Sequence, residues 1–174
     1  MAVSDVKQAL ENLVANEKML QAIEETGSMS IALINDRTQK GEFLGGAFAN
    51  KGYSETTLPF FFFSKDIQAA EDDIEWRKVK GKSVKYLKGG YKKYRELRGK
   101  QVATVNHELD GKMMNSLFAQ VDIVSDAQFK VIVTVPGAEM LKAYYTNEKR
   151  QWLALSDDEV DRVFRLFEKR MTEG

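Results

Sequence analysis

The sequence predicts an α+β fold: a small antiparallel sheet packed by helices at both ends of the chain. Three observations carry that reading. Apolar residues near the start recur every three to four positions, the helical period. Between Leu117 and Val135 the period drops to two, the strand period. From Ser156 the helical period returns behind a capping signal. With 174 residues and 43% apolar content, the chain is sized for a single domain over 1–174. Such a domain buries roughly 70% of its unfolded surface.

Residues 1–40 form the helical N-terminal part. Val3, Val6, Leu10, Leu13, Leu20 and Ile23 make one stripe, with Glu11, Glu17, Lys18 and Glu24 mostly opposite. Ser4 is suited to cap the start, and Gly27 is a natural stop. A further helical stretch over about 28–40 takes its apolar positions from Met29, Ile31, Leu33 and Ile34. Gly27 therefore either ends a helix or interrupts a longer one.

Residues 41–75 read as a long connection, an extended loop or arm, because Gly41, Gly45, Gly46, Gly52 and Pro59 break regular structure. A loop of this length in a compact domain points to function or assembly. It carries Phe60, Phe61, Phe62 and Phe63, which either plug the edge of the core or insert into a neighbouring subunit.

The spacing of Tyr86, Leu87, Tyr91, Tyr94 and Leu97 predicts a helix over 83–97, weakened by Gly89 and Gly90. Leu109, Asp110 and Gly111 look like a turn. A β-hairpin follows over about 117–135. Leu117, Ala119, Val121 and Ile123 alternate with Phe118, Gln120 and Asp122; Phe129, Val131, Val133 and Val135 alternate with Lys130, Ile132 and Thr134. Ser125, Asp126 and Ala127 make its turn, and Pro136 and Gly137 close it. A short helix is expected over about 138–147. In the last helix Ser156 and Glu159 form a capping box, and Asp157 and Asp158 favour the positive end of the helix dipole. Val160, Val163, Phe164, Phe167 and Met171 form its apolar stripe.

Composition removes several classes of function. No cysteine means no disulfide scaffold, thiolate zinc site or Cys nucleophile. The longest apolar run, 58–63, is too short to cross a bilayer, and the first residues lack a signal-peptide pattern, so a soluble cytosolic chain is expected. His107, the single histidine, has no second ligand and no nucleophile elbow beside it; it reads as an ordinary surface or hydrogen-bonded residue. Glu71, Asp72, Asp73 and Glu75 lack calcium-loop spacing and read as a solvated stretch or as partners for the basic segment that follows. The glycine-rich pieces match neither a phosphate loop nor a dinucleotide fingerprint. No enzyme class, metal or cofactor is indicated.

Charge is unevenly spread. Residues 77–100 hold 11 Lys and Arg against one acid, while 1–75 sum to −7 and 101–174 to −3. A basic middle between acidic flanks suits an anionic partner or other copies of the same chain. Lys and Arg interleaved with Trp76, Tyr86, Tyr91 and Tyr94 also fit a nucleic-acid-binding module over 76–100, or simply a surface helix with its tyrosines inward.

In order along the chain stand Trp76, Tyr91 with Lys92 and Lys93, then Leu109, Gly111, Met113, Ser116 and Leu117, the hairpin, and Tyr144 and Tyr145. Arg150, Trp152, Leu153, Leu155, Ser156, Asp158 and Glu159 close the series. This order over residues 76–174 resembles the tail-completion (virion morphogenesis, neck) family of tailed bacteriophages. Asp110 stands where that family usually has a small hydroxyl residue, and 142–150 lack its usual His and Gly. The resemblance implies a non-enzymatic virion part, assembled in the host cytoplasm. It implies a homo-oligomeric ring at the neck or head-proximal tail end, hexameric by preference with twelve copies as the alternative. Its partners would be itself, neighbouring neck or tail proteins, and DNA passing through the lumen; no membrane is involved. On this reading the candidate interface residues are Phe60, Phe61, Phe62, Phe63, Trp76, Lys85, Lys88, Tyr91, Lys92, Lys93, Arg95, Arg98, Arg150 and Trp152. Trp152 is either a core residue or an interface anchor.

Overall fold

A computed structural model describes residues 3–46, 48–106, 112–125 and 128–173. His107, the turn at 109–111 and the hairpin turn residues Asp126 and Ala127 lie outside the described residues. Helix and antiparallel strand are mixed as the sequence predicts, with long helices at both ends.

The first element is one continuous helix, α1 (Val3–Gln39), so Gly27 interrupts nothing. Its buried side over 17–40 runs through Ala22, Ile23, Thr26, Ser30, Leu33, Ile34, Arg37 and Thr38, at steps of three and four. Half of these side chains are small. The hydroxyls of Thr26 and Ser30 are spent on helix carbonyls, Thr26 donating to Ile23 O at 2.7 Å and Ser30 to Thr26 O at 2.8 Å. Gly27 marks the closest approach: a Cβ built there would lie 2.7 Å from the Ala119 Cβ. The facing element is the predicted hairpin, β4 (Phe118–Ser125) paired antiparallel with β5 (Gln128–Thr134).

The expected helix over 83–97 is half wrong. Residues 74–87 form a second hairpin, β2 (Ile74–Val79) with β3 (Lys82–Leu87), and helix α2 begins only at Gly90 (Gly90–Leu97). Two residues, Lys80 and Gly81, turn the hairpin with φ of 49° and 77°, the left-handed geometry that matches strand twist. A short strand β1 (Leu58–Pro59) adds to β3, giving the order β1-β3-β2. The strands therefore form two small antiparallel sheets rather than one. Between them come the single turn α3 (Lys112–Asn115) and, after β5, α4 (Met140–Lys149) and α5 (Asp157–Thr172).

Each sheet has its own core. Ile34, Met113, Met114, Leu117, Val135, Ala143 and Trp152 form one. Phe63, Ile67, Leu87 and Tyr94 form the other. The 41–75 connection follows its own subunit and straps the two together. Leu44 N–H donates to Gln151 O at 2.9 Å, Gln151 N–H to Gly45 O at 2.8 Å and Phe48 N–H to Lys149 O at 2.9 Å. Further on, Lys92 N–H donates to Ser54 O at 3.0 Å. Gly90 permits this second strap, since a Cβ there would lie 2.0 Å from Thr56 O.

The capping box at Ser156 and Glu159 forms as predicted and does more than cap. Glu159 Oε2 accepts from Ser156 N–H at 2.7 Å, while Oε1 accepts from Arg37 Nε at 3.1 Å. Arg37 also donates to the carbonyls of Trp152 and Ala154. One buried guanidinium thus joins α1, the approach to α5 and the α5 N-terminus. Only two of the five residues of the expected α5 stripe are covered: Val163 and Phe167 are half-buried, whereas Val160, Phe164 and Met171 are exposed.

Candidate functional site

The phenylalanine run divides by position. A turn of 3-10 helix over Phe60–Phe62 directs Phe60 and Phe63 into the second core, where Phe63 stacks on Tyr94 with centroids 4.6 Å apart. Phe61 and Phe62 stay about two-thirds exposed and pack on one another at 4.2 Å.

Four of the eleven cations of the basic segment are paired with carboxylates of their own chain. Lys92 pairs with Glu55 at 2.7 Å, Lys93 with Asp73 at 2.9 Å, Arg77 with Glu75 at 2.8 Å and Arg98 with Asp66 at 3.8 Å. Hydrogen bonds in these pairs hold the ammonium groups of Lys92 and Lys93 above the usual lysine range and the Glu55 carboxyl below the usual carboxylate range. Lys88 donates to Asp72 O at 2.8 Å. The acidic stretch before β2 is therefore a partner for the basic segment, one of the two roles its composition allowed.

A cluster of the cations left without a carboxylate sits on the β2–β3 ribbon. Lys78, Lys80 and Lys82 surround its tip, all exposed and with no ion pair among the described residues. Trp76 is exposed beside them, with Lys85 Nζ 5.1 Å from its ring centroid.

Three predicted interface residues are turned inward. Trp152 is fully buried in the first core and donates from its indole N–H to Thr146 Oγ1 at 3.2 Å. Arg95 is buried, lies 4.4 Å above the Tyr53 ring, and donates to Gln101 O and Asn106 Oδ1. Arg150 is half-buried, donating to Lys51 O at 2.8 Å. Tyr91 is half-buried against the second core.

One uncovered apolar surface went unread in the sequence. Met140, Leu141, Tyr144 and Tyr145 on α4 are each more than half exposed. Their spacing of one, three and one places them on one face of the helix, a signal that was present but that the tyrosines were not used to find. With Val160, Phe164 and Met171 on α5, two helices each present apolar side chains to solvent.

Among the described residues no group of three or more His, Asp or Glu is placed to hold a metal ion, and no helix is long and apolar enough to cross a membrane. No family model, curated protein or solved structure matches this chain, so the likeness to tail-completion proteins rests on the quoted residues alone.

Proposed function

We propose that this chain is a non-enzymatic structural subunit that binds further copies of itself, and that its setting is the ring at the neck or tail end of a phage particle. The observation that carries self-association is the bare apolar face of α4. Monomeric proteins rarely expose clustered large apolar side chains, and where they do the cluster marks a contact. The α5 side chains and the Phe61–Phe62 pair supply different apolar surfaces on the same subunit. Two unlike, complementary faces are what head-to-tail ring closure requires. The phage setting and the hexameric copy number are supported only by the motif order over 76–174. Sedimentation velocity across a concentration series, with negative-stain microscopy of the heaviest species, tests the proposal. Closed rings support it; a monomer at all concentrations overturns it.

A second reading is favoured by the β2–β3 ribbon. An exposed Trp76 flanked by unpaired lysines is a stacking platform beside a cationic track, suited to single-stranded nucleic acid. Polynucleotide retention with a steep salt dependence, lost in a Trp76→Ala, Lys78→Glu variant, would support this reading over the first.

A further inference from the structure

Between the two cores lies a cavity of about 650 Å³, within the range of small-ligand sites. Its inner wall is aromatic and apolar: Tyr53, Tyr91, Val105 and Met113. The Tyr53 and Tyr91 rings stand 5.7 Å apart at a tilt of 59°. Lys142, Thr146 and Lys149, spaced along one side of α4, line another wall with Lys51 and Arg150.

The charge balance of this cavity is unusual. Among the described residues its lining holds five cations, Lys51, Arg95, Lys142, Lys149 and Arg150, against one carboxylate, Glu55, which is committed to Lys92. Lys142 reaches Glu139 at 3.2 Å. Lys51 and Lys149 make no ion pair among the described residues. Among the described residues Arg95 and Arg150 have only neutral partners: carbonyls, the Asn106 amide oxygen and aromatic rings. Arg150 Nε is buried with no hydrogen-bond partner among the described residues. Buried cations are ordinarily paired, because a desolvated charge without a counter-charge is costly. Burial in fact lowers the Arg150 pKa below the usual arginine value. A buried guanidinium, Arg95, and a half-buried one, Arg150, lining one cavity with no carboxylate partner among the described residues point to an anion brought by a ligand.

We propose that this cavity binds a nucleotide, its phosphate held by Lys149, Arg150 and Lys51 and its flat base against Tyr53 and Tyr91. The phosphate supplies the counter-charge the lining lacks, and the base covers aromatic surface that water otherwise wets. Free mononucleotides and the phosphorylated terminal nucleotide of a single strand share this chemistry. The site is distinct from the β2–β3 ribbon and independent of self-association.

Titration calorimetry with deoxyadenosine monophosphate tests it, beside inorganic phosphate, unphosphorylated deoxyadenosine, and a short oligonucleotide with and without a 5′ phosphate. The mononucleotide is expected to saturate one site per chain and to bind at least about tenfold tighter than phosphate or nucleoside alone, since each charge-assisted contact contributes on that scale. Lys149→Glu should weaken binding by about tenfold or more. Its side chain is exposed, so an unchanged melting curve separates lost binding from lost fold. Lys78→Glu, at the ribbon tip, should leave the affinity unchanged. Tighter binding of the 5′-phosphorylated oligonucleotide in competition with the mononucleotide identifies a strand end as the source; no competition identifies the free nucleotide. Absence of saturable mononucleotide binding, or equal weakening by Lys78→Glu and Lys149→Glu, overturns the proposal.

Discussion

Trp152 and Arg37 show how two side chains set the geometry of the chain's C-terminal third. Removing the indole would leave a void beside Met113 and Ala143 and free the Thr146 hydroxyl of a donor. Trp152→Ala should therefore lower stability by about 3–5 kcal/mol. In a domain of this size that is a fall in Tm of roughly 10 °C, read by calorimetry. Because Trp152 is buried in its own subunit, the loss must appear in the isolated chain; a variant that melts normally yet fails to associate contradicts the placement. Arg37→Met should be comparably harmful, about 3–5 kcal/mol, because it strands the Glu159 carboxylate and two carbonyls. Ser156 and Glu159 were legible as a capping box from their spacing alone. Arg37 was not: it lies 122 positions from Glu159, and nothing in the local pattern of α1 distinguishes a buried arginine from a solvated one.

The elements that the sequence misstated failed for physical reasons. Residues 83–87 satisfy a helical spacing only because Tyr86 and Leu87 continue into Tyr91 and Tyr94; the turn at Lys80 and Gly81 and the pairing with β2 decide otherwise. The buried side of α1 was underread because it is built of Thr26, Gly27 and Ser30 rather than large apolar residues. That side yields a test against propensity. Gly27→Ala would gain roughly 0.5–1 kcal/mol in an exposed helix. Here the new Cβ meets the Ala119 Cβ at 2.7 Å, so α1 must move off the β4–β5 hairpin and Tm should fall. A raised Tm would show that α1 and β4 are further apart. The second core gives an alkaline signature. Burial raises the Tyr94 phenol above its usual value, and the Asp66 carboxylate, accepting from its hydroxyl at 3.0 Å, raises it further. The fold thus prefers the protonated phenol. That stabilisation is intact below the unfolded phenol pKa of about 10 and is lost as pH climbs through the higher folded value. Thermal melts of the wild type should steepen their decline above about pH 10, and Tyr94→Phe should decline less over the same interval.

At the level of the whole molecule, folding leaves one kind of surface charge settled and one kind of apolar surface unsettled. The basic middle looked in the sequence like a single cationic patch, yet Glu55, Asp66, Asp73 and Glu75 pair with four of its cations, and Lys78, Lys80 and Lys82 at the ribbon tip stay free of ion pairs among the described residues. Composition alone does not assign these pairs: Glu55 and Asp66 come from the 41–75 connection, Asp73 from just before β2, and Glu75 reaches Arg77 two residues along the same strand. The apolar residues of α4 behave oppositely: nothing in the described chain folds back over them. Their exposure implies that association, if it uses this face, is separable from folding. Leu141→Glu with Tyr144→Lys places an acid three residues before a base, the order that helix polarity favours, and keeps the net charge unchanged. Both side chains are more than half solvent-exposed, so the double variant should keep Tm within a few degrees of wild type. Sedimentation velocity should then report a monomer where the wild type forms larger species. A double variant that still assembles would remove α4 from the contact and shift it to α5 or to Phe61 and Phe62. A variant that unfolds would mean that the face is internal to the fold.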